Sequence, residues 1–327
     1  MRTTRIITGA VIAAWVVCTT VRAEEATPVL WYAAPAADWE REALPIGNGA
    51  LGAMISGGVE LDRVQFNEKT LWTGGPGSAK GYDAGIPSRS MAAAVAEVAD
   101  RIDRQTRLDP TDVAARLGRK IVGYGDYQTF GDLVLEFPPG GATTDYRREL
   151  DLRGAVARTS YERDGIRYRR EYFASYPQGV IVLRLSADQP GHIDVRARLD
   201  IPDNRSRHVT ARGGHLEMRG ALADNGLQYA AVARVLNDGG RLESRRDGVV
   251  RVTRADAVTI VLGAATNYRQ HYPDYRGPDP QPALRARVDA AAALGYSEIL
   301  ARHTADYRAL FDRVTLDLGQ AAVSVPT

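Results

Sequence analysis

The side chains best suited to chemistry are concentrated between residues 39 and 76, a segment rich in glycine, amides and aromatic rings. Asn48 stands in a glycine-rich run, and Asn67, Glu68 and Trp72 follow closely. An aromatic ring offers an apolar face to the C–H groups of a sugar, while amides and carboxylates bind its hydroxyls. The segment is therefore either a turn with core residues or a loop that presents these four side chains to a ligand.

Three glycines of this segment, Gly47, Gly49 and Gly52, have the G-x-G-x-x-G spacing of a phosphate-binding loop. Such a loop lies between a strand and a helix, whereas the residues that follow Gly52 have the pattern of a strand. Glycines that permit positive φ in a turn are the simpler explanation of the spacing. We therefore expect no cofactor.

Carboxylates are numerous, but they do not form a convincing catalytic pair. Glycosidic hydrolysis needs two carboxyl groups about 5–10 Å apart, one of them with a raised pKa. Glu68, Glu171, Asp200 and Asp203 are candidates by residue type. Glu171 directly follows two arginines, and a carboxylate beside arginines is typical of an ion pair with a lowered pKa.

Metal ligation is the less favoured interpretation at two places. His303 and Asp306 have a spacing that can bind a metal on a helix, but a buried, hydrogen-bonded histidine is favoured. Asp109 precedes Pro110, which predicts a helix N-cap rather than a calcium ligand shared with Asp112. We expect no metal site. The sequence also lacks the G-x-S-x-G, H-E-x-x-H and P-loop motifs.

The elements that position these residues are mostly strands, from about residue 51 to 265. Apolar and charged residues alternate in many of them, which indicates strands with one solvated face. Gly57-Gly58 predicts a tight hairpin between strands Leu51–Ser56 and Val59–Phe66. Short strands broken by turn residues predict a mainly β protein with an antiparallel sandwich, interrupted by a helical insertion near residues 90–120.

The pattern changes after residue 267. Residues 268–282 are rich in Pro, Asp and Tyr and are expected to form a loop. Two helices are predicted next, at Ala283–Leu294 and Ser297–Arg313, and the second carries an apolar stripe. These helices have the character of a linker. We expect their outer faces to leave an exposed apolar patch.

Composition narrows the class of protein. The 327 residues are 44% hydrophobic and 25% charged, as in globular proteins. Residues 1–23 combine a basic start, an apolar stretch and a small-residue cleavage site, which predicts a signal peptide. The remaining chain has 39 basic and 40 acidic residues, and it lacks the only cysteine, Cys18. We therefore expect an exported, periplasmic or extracellular protein with no disulfides, no nucleic-acid partner and no membrane attachment after cleavage.

Several blocks together resemble glycoside hydrolase family 95, whose members are chiefly α-L-fucosidases. The resemblance runs along nearly the whole chain after residue 30. The blocks that carry it are Trp31-Tyr32, Trp39-Glu40, Leu44-Pro45-Ile46-Gly47-Asn48-Gly49, Asn67-Glu68, Leu71-Trp72, Tyr127-Gln128, Gly131-Asp132-Leu133, Glu149-Leu150-Asp151-Leu152, Arg170-Glu171-Tyr172-Phe173-Ala174-Ser175-Tyr176-Pro177, His303, Asp306-Tyr307 and Leu310-Phe311.

The resemblance implies an N-terminal super-β-sandwich of the galactose-mutarotase-like type, over residues 24–267, and a short helical linker over 268–327. In the family an (α/α)6 barrel follows and holds the catalytic groups of an inverting mechanism. No catalytic residue is therefore expected in this chain.

The same resemblance implies two partners, the barrel of the same polypeptide and a glycan substrate. Asn48, Asn67, Glu68 and Trp72 are expected near that substrate. A stand-alone carbohydrate-binding sandwich is the alternative function. A related phosphorolytic enzyme is a third.

Overall fold

The computed structural model describes residues 28–82, 91–118, 123–316 and 326–327. The signal peptide predicted at residues 1–23 lies outside the described residues. Within the described ranges the fold consists of two large antiparallel sheets, a small two-stranded ribbon and four helices. The mainly β antiparallel sandwich predicted from strand spacing is thereby confirmed.

The two large sheets form the two layers of the sandwich, and neighbouring strands in each are hydrogen-bonded. The nine-stranded sheet has the spatial order β1 (Val29–Tyr32), β8 (Thr143–Asp151), β9 (Val156–Arg163), β10 (Ile166–Ser175), β11 (Val180–Ala187), β18 (Ala257–Thr266), β15 (Gln228–Asp238), β14 (His215–Ala221) and β13 (His208–Arg212). The seven-stranded sheet has the order β16 (Arg241–Ser244), β17 (Val249–Ala255), β12 (Ile193–Asp200), β7 (Gly131–Glu136), β4 (Leu61–Glu68), β3 (Leu51–Ile55) and β2 (Leu44–Gly47).

The remaining elements lie outside these sheets. They are the ribbon of β5 (Trp72–Gly74) with β6 (Tyr124–Tyr127), and the helices α1 (Ala92–Gln105), α2 (Pro110–Leu117), α3 (Gln281–Leu294) and α4 (Tyr296–Phe311). Helices α1 and α2 form the predicted insertion between the two ribbon strands. Asp109 is the N-cap of α2, as predicted, because its Oδ1 accepts a hydrogen bond from the Thr111 amide at 2.7 Å.

The main core lies between the two sheets and is built from the inward-facing residues of their strands. Phe66, Leu133, Leu183 and Ile260 are completely or almost completely buried in it. Burial alternates along β3, β4 and β12, which is the period-two pattern that the sequence shows. Burying apolar surface in this way is the dominant favourable contribution to folding.

A second core lies on the outer face of the nine-stranded sheet, where α3 and α4 cover it. Leu284, Val288 and Ile299 from the helices pack against Val182 and Val261 of β11 and β18. These two strands are therefore buried on both faces, which explains why their sequences are apolar runs without alternation.

The apolar patch predicted on both terminal helices is confirmed for one helix and wrong for the other. Leu310 and Phe311 in the last turn of α4, and Val314 and Leu316 after it, are exposed. The apolar face of α3 is instead buried against the sheet.

The predicted hairpin at Gly57-Gly58 is longer than expected, since β3 ends at Ile55 and β4 begins at Leu61. Backbone carbonyls of this connection accept hydrogen bonds from a buried side chain. The buried guanidinium of Arg170 donates hydrogen bonds to the carbonyls of Gly58 and Val59 and pairs with Asp62. A tight two-residue turn would not present these two carbonyls to the arginine.

Candidate functional site

The four side chains expected near a ligand all lie at one end of the sandwich. Asn48 Nδ2 donates a hydrogen bond to the Ser175 carbonyl, at the end of β10. Thr70, two residues after Glu68, contacts Thr266 at the end of β18 through their hydroxyls. We call this region, defined by Asn48, Glu68, Trp72, Ser175 and Thr266, the Trp72 end.

Asn48 has a structural role in the turn between β2 and β3. Its Oδ1 accepts hydrogen bonds from the amides of Ala50 at 3.1 Å and Leu51 at 2.8 Å. Gly49 within the turn has φ of 83°, a conformation that glycine adopts without steric cost. The turn interpretation of this glycine-rich run is thus confirmed, and both ends of the Asn48 amide are used within the protein.

Glu68 is a buried carboxyl group held by its neighbours. Its Oε2 accepts hydrogen bonds from Thr70, at 2.9 Å from the amide and 2.5 Å from the hydroxyl. Burial raises the pKa of Glu68, and this outweighs the hydrogen bonds from Thr70 and the positive charges of Lys69 and Arg287, which act to lower it. The protonated form is therefore favoured over a wider pH range than for an exposed glutamate.

Trp72 presents its ring at the surface, and the hydrogen bond of its indole nitrogen is local. The indole is 47% exposed, and its Nε1 donates to the Lys69 carbonyl at 3.0 Å. Its ring packs against Tyr127, with centroids 5.4 Å apart. Asn67 Oδ1 accepts a hydrogen bond from the Phe130 amide at 3.1 Å.

Trp72 lines an open pocket with a cavity volume of about 470 Å³. This volume lies within the range of about 300–1,000 Å³ that is usual for small-molecule sites. Asn48, Asn67 and Glu68 do not line it, and Glu68 adjoins it through Thr70. The lining residues are Lys69, Thr70, Trp72, Thr73, Gly74, Gly75, Pro76, Tyr82, Asn225, Leu227, Tyr268, Tyr275 and Arg276.

Aromatic rings from distant parts of the chain form the pocket walls. Tyr268 and Tyr275 belong to the loop after β18, and their rings are parallel, with centroids 6.3 Å apart. Trp72 comes from the ribbon. The sequence predicts a loop over residues 268–282 but does not indicate a site there. The tyrosine content of that loop is the signal in the sequence that could have indicated a pocket.

Two polar side chains fix the geometry of the pocket. Asn225 Nδ2 donates to the carbonyls of Trp72 at 2.9 Å and Gly74 at 2.6 Å, so it ties the ribbon to the turn before β15. Arg276 donates to the carbonyls of Pro76 and Asn225, each at 3.1 Å. Burial lowers the pKa of Arg276, but a guanidinium remains charged at neutral pH.

Glu171 forms the ion pairs predicted for it. Its Oε1 accepts hydrogen bonds from Arg169 at 2.7 Å and Arg158 at 3.2 Å. Burial acts to raise the pKa of Glu171, but the hydrogen bonds from Arg169 and Tyr296 outweigh it, and the pKa is lowered. A carboxylate in this state is a poor general acid.

His303 is buried, also as predicted. Its Nε2 lies 3.1 Å from the Gly154 carbonyl and 3.2 Å from the Ala155 carbonyl, and burial lowers its pKa. Among the described residues, no group of three or more His, Cys, Asp or Glu side chains could hold a metal ion. No helix in the described ranges is long and apolar enough to cross a membrane.

Sequence comparisons match the chain to glycoside hydrolases. A family model described as glycosyl hydrolase family 65, N-terminal domain, matches residues 30–271. The chain is 31% identical over 322 residues to alpha-L-fucosidase 2 of Arabidopsis thaliana, covering 90% of this chain and 37% of that protein. It is 27% identical over 310 residues to a probable alpha-fucosidase A of Aspergillus oryzae, covering 91% of this chain and 42% of that protein.

A further relative, a probable alpha-fucosidase A of Aspergillus niger, is 29% identical and is covered over 36% of its length. The chain therefore spans about two fifths of the length of the curated relatives it matches. Among solved structures it is similar to a putative kojibiose phosphorylase from human microbiome, with a TM-score of 0.49 and 9% identity, over 82% of this chain and 35% of the other. The family model matches most of the chain, and the chain therefore belongs to the glycosyl hydrolase family 65 N-terminal domains.

Proposed function

We propose that this chain is the N-terminal, non-catalytic domain of a secreted α-L-fucosidase related to glycoside hydrolase family 95, acting on fucosylated glycans with inversion. The names of the three curated relatives support the α-fucosidase assignment. The signal-like residues 1–23 support export. The catalytic acid and base would then lie in a further domain of the same polypeptide, an (α/α)6 barrel, because the relatives are more than twice as long as the matched region.

The observation that carries this proposal is the aromatic pocket at the Trp72 end. Trp72 and three tyrosines line a cavity of about 470 Å³, together with the polar residues Lys69, Thr70 and Arg276. Apolar ring faces suit the C–H faces of sugars, and hydrogen-bonding groups beside them suit hydroxyls. In this proposal the pocket forms one wall of the substrate site and the barrel forms the rest.

Exposed apolar side chains at the end of α4 support a packing surface for that further domain. The hydroxyl of Tyr307 donates to the Leu152 carbonyl, which fixes α4 beside the turn between β8 and β9. That turn lies at the same end of the nine-stranded sheet as Ser175 and Thr266. Leu310 and Phe311, in the next turn of α4, are exposed there, and contiguous exposed apolar surface is typical of interaction sites.

The proposal is tested by assaying the full-length gene product on an aryl α-L-fucoside and on a fucosylated oligosaccharide. We expect fucose release, with β-L-fucose as the first product in a rapid NMR measurement. Release that depends on added phosphate, with fucose 1-phosphate as product, would instead support a phosphorolytic enzyme.

A stand-alone carbohydrate-binding module is the second candidate, and the same aromatic pocket favours it. Calorimetry of residues 24–327 against fucosylated oligosaccharides separates the two functions. Saturable heat from this chain without the rest of the polypeptide supports the binding module. No heat up to millimolar ligand would contradict it and favour a pocket completed by a further domain.

A further inference from the structure

A second pocket lies at the opposite end of the sandwich from Trp72. Its cavity volume is about 240 Å³, and it lies between residues 137–140, the hairpin of β9 and β10, and the start of β12. Strand β10 runs from Ile166 beside this pocket to Ser175 at the Trp72 end. Ten residues at about 3.3 Å each separate the two ends by roughly 30 Å. This pocket is therefore independent of the proposed substrate site.

The central feature of the second pocket is the guanidinium of Arg163. The residue is 7% exposed, and its Nη1 is buried with no hydrogen-bond partner among the described residues. The guanidinium carbon lies 5.7 Å from the ring centroid of Tyr168, which also lines the pocket. A buried charged donor without an acceptor is unfavourable, so a ligand that supplies an acceptor would be bound.

The neighbouring carboxylates do not supply that acceptor. Asp164 Oδ2 accepts a hydrogen bond from the Gly141 amide at 3.4 Å, and Asp194 Oδ1 accepts one from the Arg254 amide at 3.0 Å. The other buried arginine of the pocket, Arg170, already donates to backbone carbonyls, Tyr161 and Asp62. Among the described residues of this pocket, Arg163 is thus the buried arginine whose Nη1 has no acceptor.

Gly140 leaves the space that the guanidinium occupies. A Cβ at this position would lie 2.7 Å from Nε of Arg163 and 2.9 Å from its Cζ. The backbone at residue 140 therefore passes directly against the guanidinium and limits where it can move. A guanidinium held in one orientation is well suited to donate a directed, charge-assisted hydrogen bond to an anion.

We propose that this pocket binds a small oxyanion group, a carboxylate, sulfate or phosphate, through Arg163. The cavity is smaller than the range of about 300–1,000 Å³ usual for drug-sized ligands, so it suits a single anionic group rather than an oligosaccharide. His192 also lines the pocket, whereas the guanidinium of Arg169 is paired with Glu171.

Calorimetry and thermal unfolding of the purified chain test the proposal, with sulfate, phosphate and glucuronate compared with chloride at matched ionic strength. We expect at least one oxyanion to bind with saturable heat and to raise Tm, and the three anions identify which chemistry the site prefers. Arg163→Met should weaken binding by roughly tenfold or more, since a charge-assisted hydrogen bond is lost. The control Arg241→Met removes an exposed arginine on β16, outside the pocket, and should bind as the wild type does.

A second variant keeps the test decisive if Arg163→Met does not fold. Gly140→Ala retains the positive charge but displaces the guanidinium, and it should also weaken binding. The proposal is overturned if no oxyanion gives saturable heat at millimolar concentration, or if a folded Arg163 variant binds as tightly as the wild type. A crystal structure at high sulfate with only water on Nη1 would overturn it as well.

Discussion

Asp62 is a buried charge whose removal has a predictable cost. Its carboxylate is fully buried, 3.4 Å from Nη1 of Arg170, and accepts a hydrogen bond from the Tyr172 hydroxyl at 2.5 Å. Asp62→Ala leaves Arg170 buried without its counter-charge. We expect this change to lower the free energy of unfolding by about 3–5 kcal/mol in urea denaturation, because breaking one partner of a buried pair is strongly destabilising.

The matched control is Asp203→Ala, which removes an almost fully exposed carboxylate paired with Arg207 at 3.0 Å. Surface pairs contribute about 0–1 kcal/mol, so this variant should unfold close to the wild type. Equal stability of the two variants would contradict the role given to Asp62.

Glu68 should make the stability of the folded protein depend on pH. Because burial raises its pKa, the folded protein holds this proton more tightly than the unfolded chain does. Stability therefore falls as pH rises from the ordinary glutamate value of 4.5 through the raised pKa. Glu68→Gln keeps an acceptor for Thr70 but does not titrate, so its stability relative to the wild type should increase across that interval.

Urea unfolding of both proteins over a pH series measures this difference. Glu298→Gln is the control, since Glu298 is an exposed partner of Arg302 on α4. A Glu68→Gln curve that stays parallel to the wild type at all pH values would show that Glu68 is not perturbed in the folded state.

Single residues were predictable from the sequence where their neighbours in the chain decide their state. Asp109 caps a helix because Pro110 and Thr111 follow it, and Glu171 is paired because one of its arginines is two residues away. Asn225 and Arg276 were not predictable as pocket residues. Their partners lie 151 and 200 residues away, at Gly74 in the ribbon and at Pro76 just after it, and no local pattern records such contacts.

At the scale of elements, the packing of α3 on β18 is the contact that adds a third layer. Gly263 allows the close approach, since a Cβ there would lie 2.8 Å from Leu284 Cδ1 and from Val288 Cγ2. Leu284 is completely buried. We expect Leu284→Ala to lower the free energy of unfolding by about 2–5 kcal/mol, because it removes buried methyl groups and leaves a cavity.

Leu310→Ala is the matched control for this prediction. Leu310 is 60% exposed on α4, so its truncation should change the free energy of unfolding little. If chemical denaturation gives the two leucine variants the same stability, α3 does not pack on the sheet as described.

Most elements could be predicted because alternation and turn residues are local signals. The apolar runs of β11 and β18 are typical of buried strands, but the sequence does not tell which element covers their second face. The connection between β3 and β4 was predicted too short. Its carbonyls at Gly58 and Val59 accept hydrogen bonds from Arg170, more than 100 residues further along the chain, and no local pattern records such contacts.

At the scale of the whole molecule, the sandwich architecture followed from the number and spacing of strands, whereas the order of strands did not. Strand β7 pairs with β4 and with β12, which lie on either side of it in the seven-stranded sheet although they are distant in sequence. Such pairings depend on which apolar faces fit together across the core. The aromatic pocket could not be predicted for the same reason, because it assembles the ribbon, the turn at Asn225 and the loop after β18.

We propose that the Trp72 end forms part of a fucoside-binding site. Its most direct test is kcat/KM for hydrolysis of a fucosylated oligosaccharide by the full-length gene product with Trp72→Ala. The control is Trp39→Ala, which removes another exposed tryptophan that does not line the pocket. Near-UV circular dichroism and Tm establish that both variants fold.

We expect Trp72→Ala to lower kcat/KM by roughly tenfold or more, since removing an apolar pocket contact costs about 1–3 kcal/mol in the transition state. Trp39→Ala should retain the wild-type value. A folded Trp72→Ala variant with the same kcat/KM as Trp39→Ala would contradict the assignment of the pocket to the substrate site.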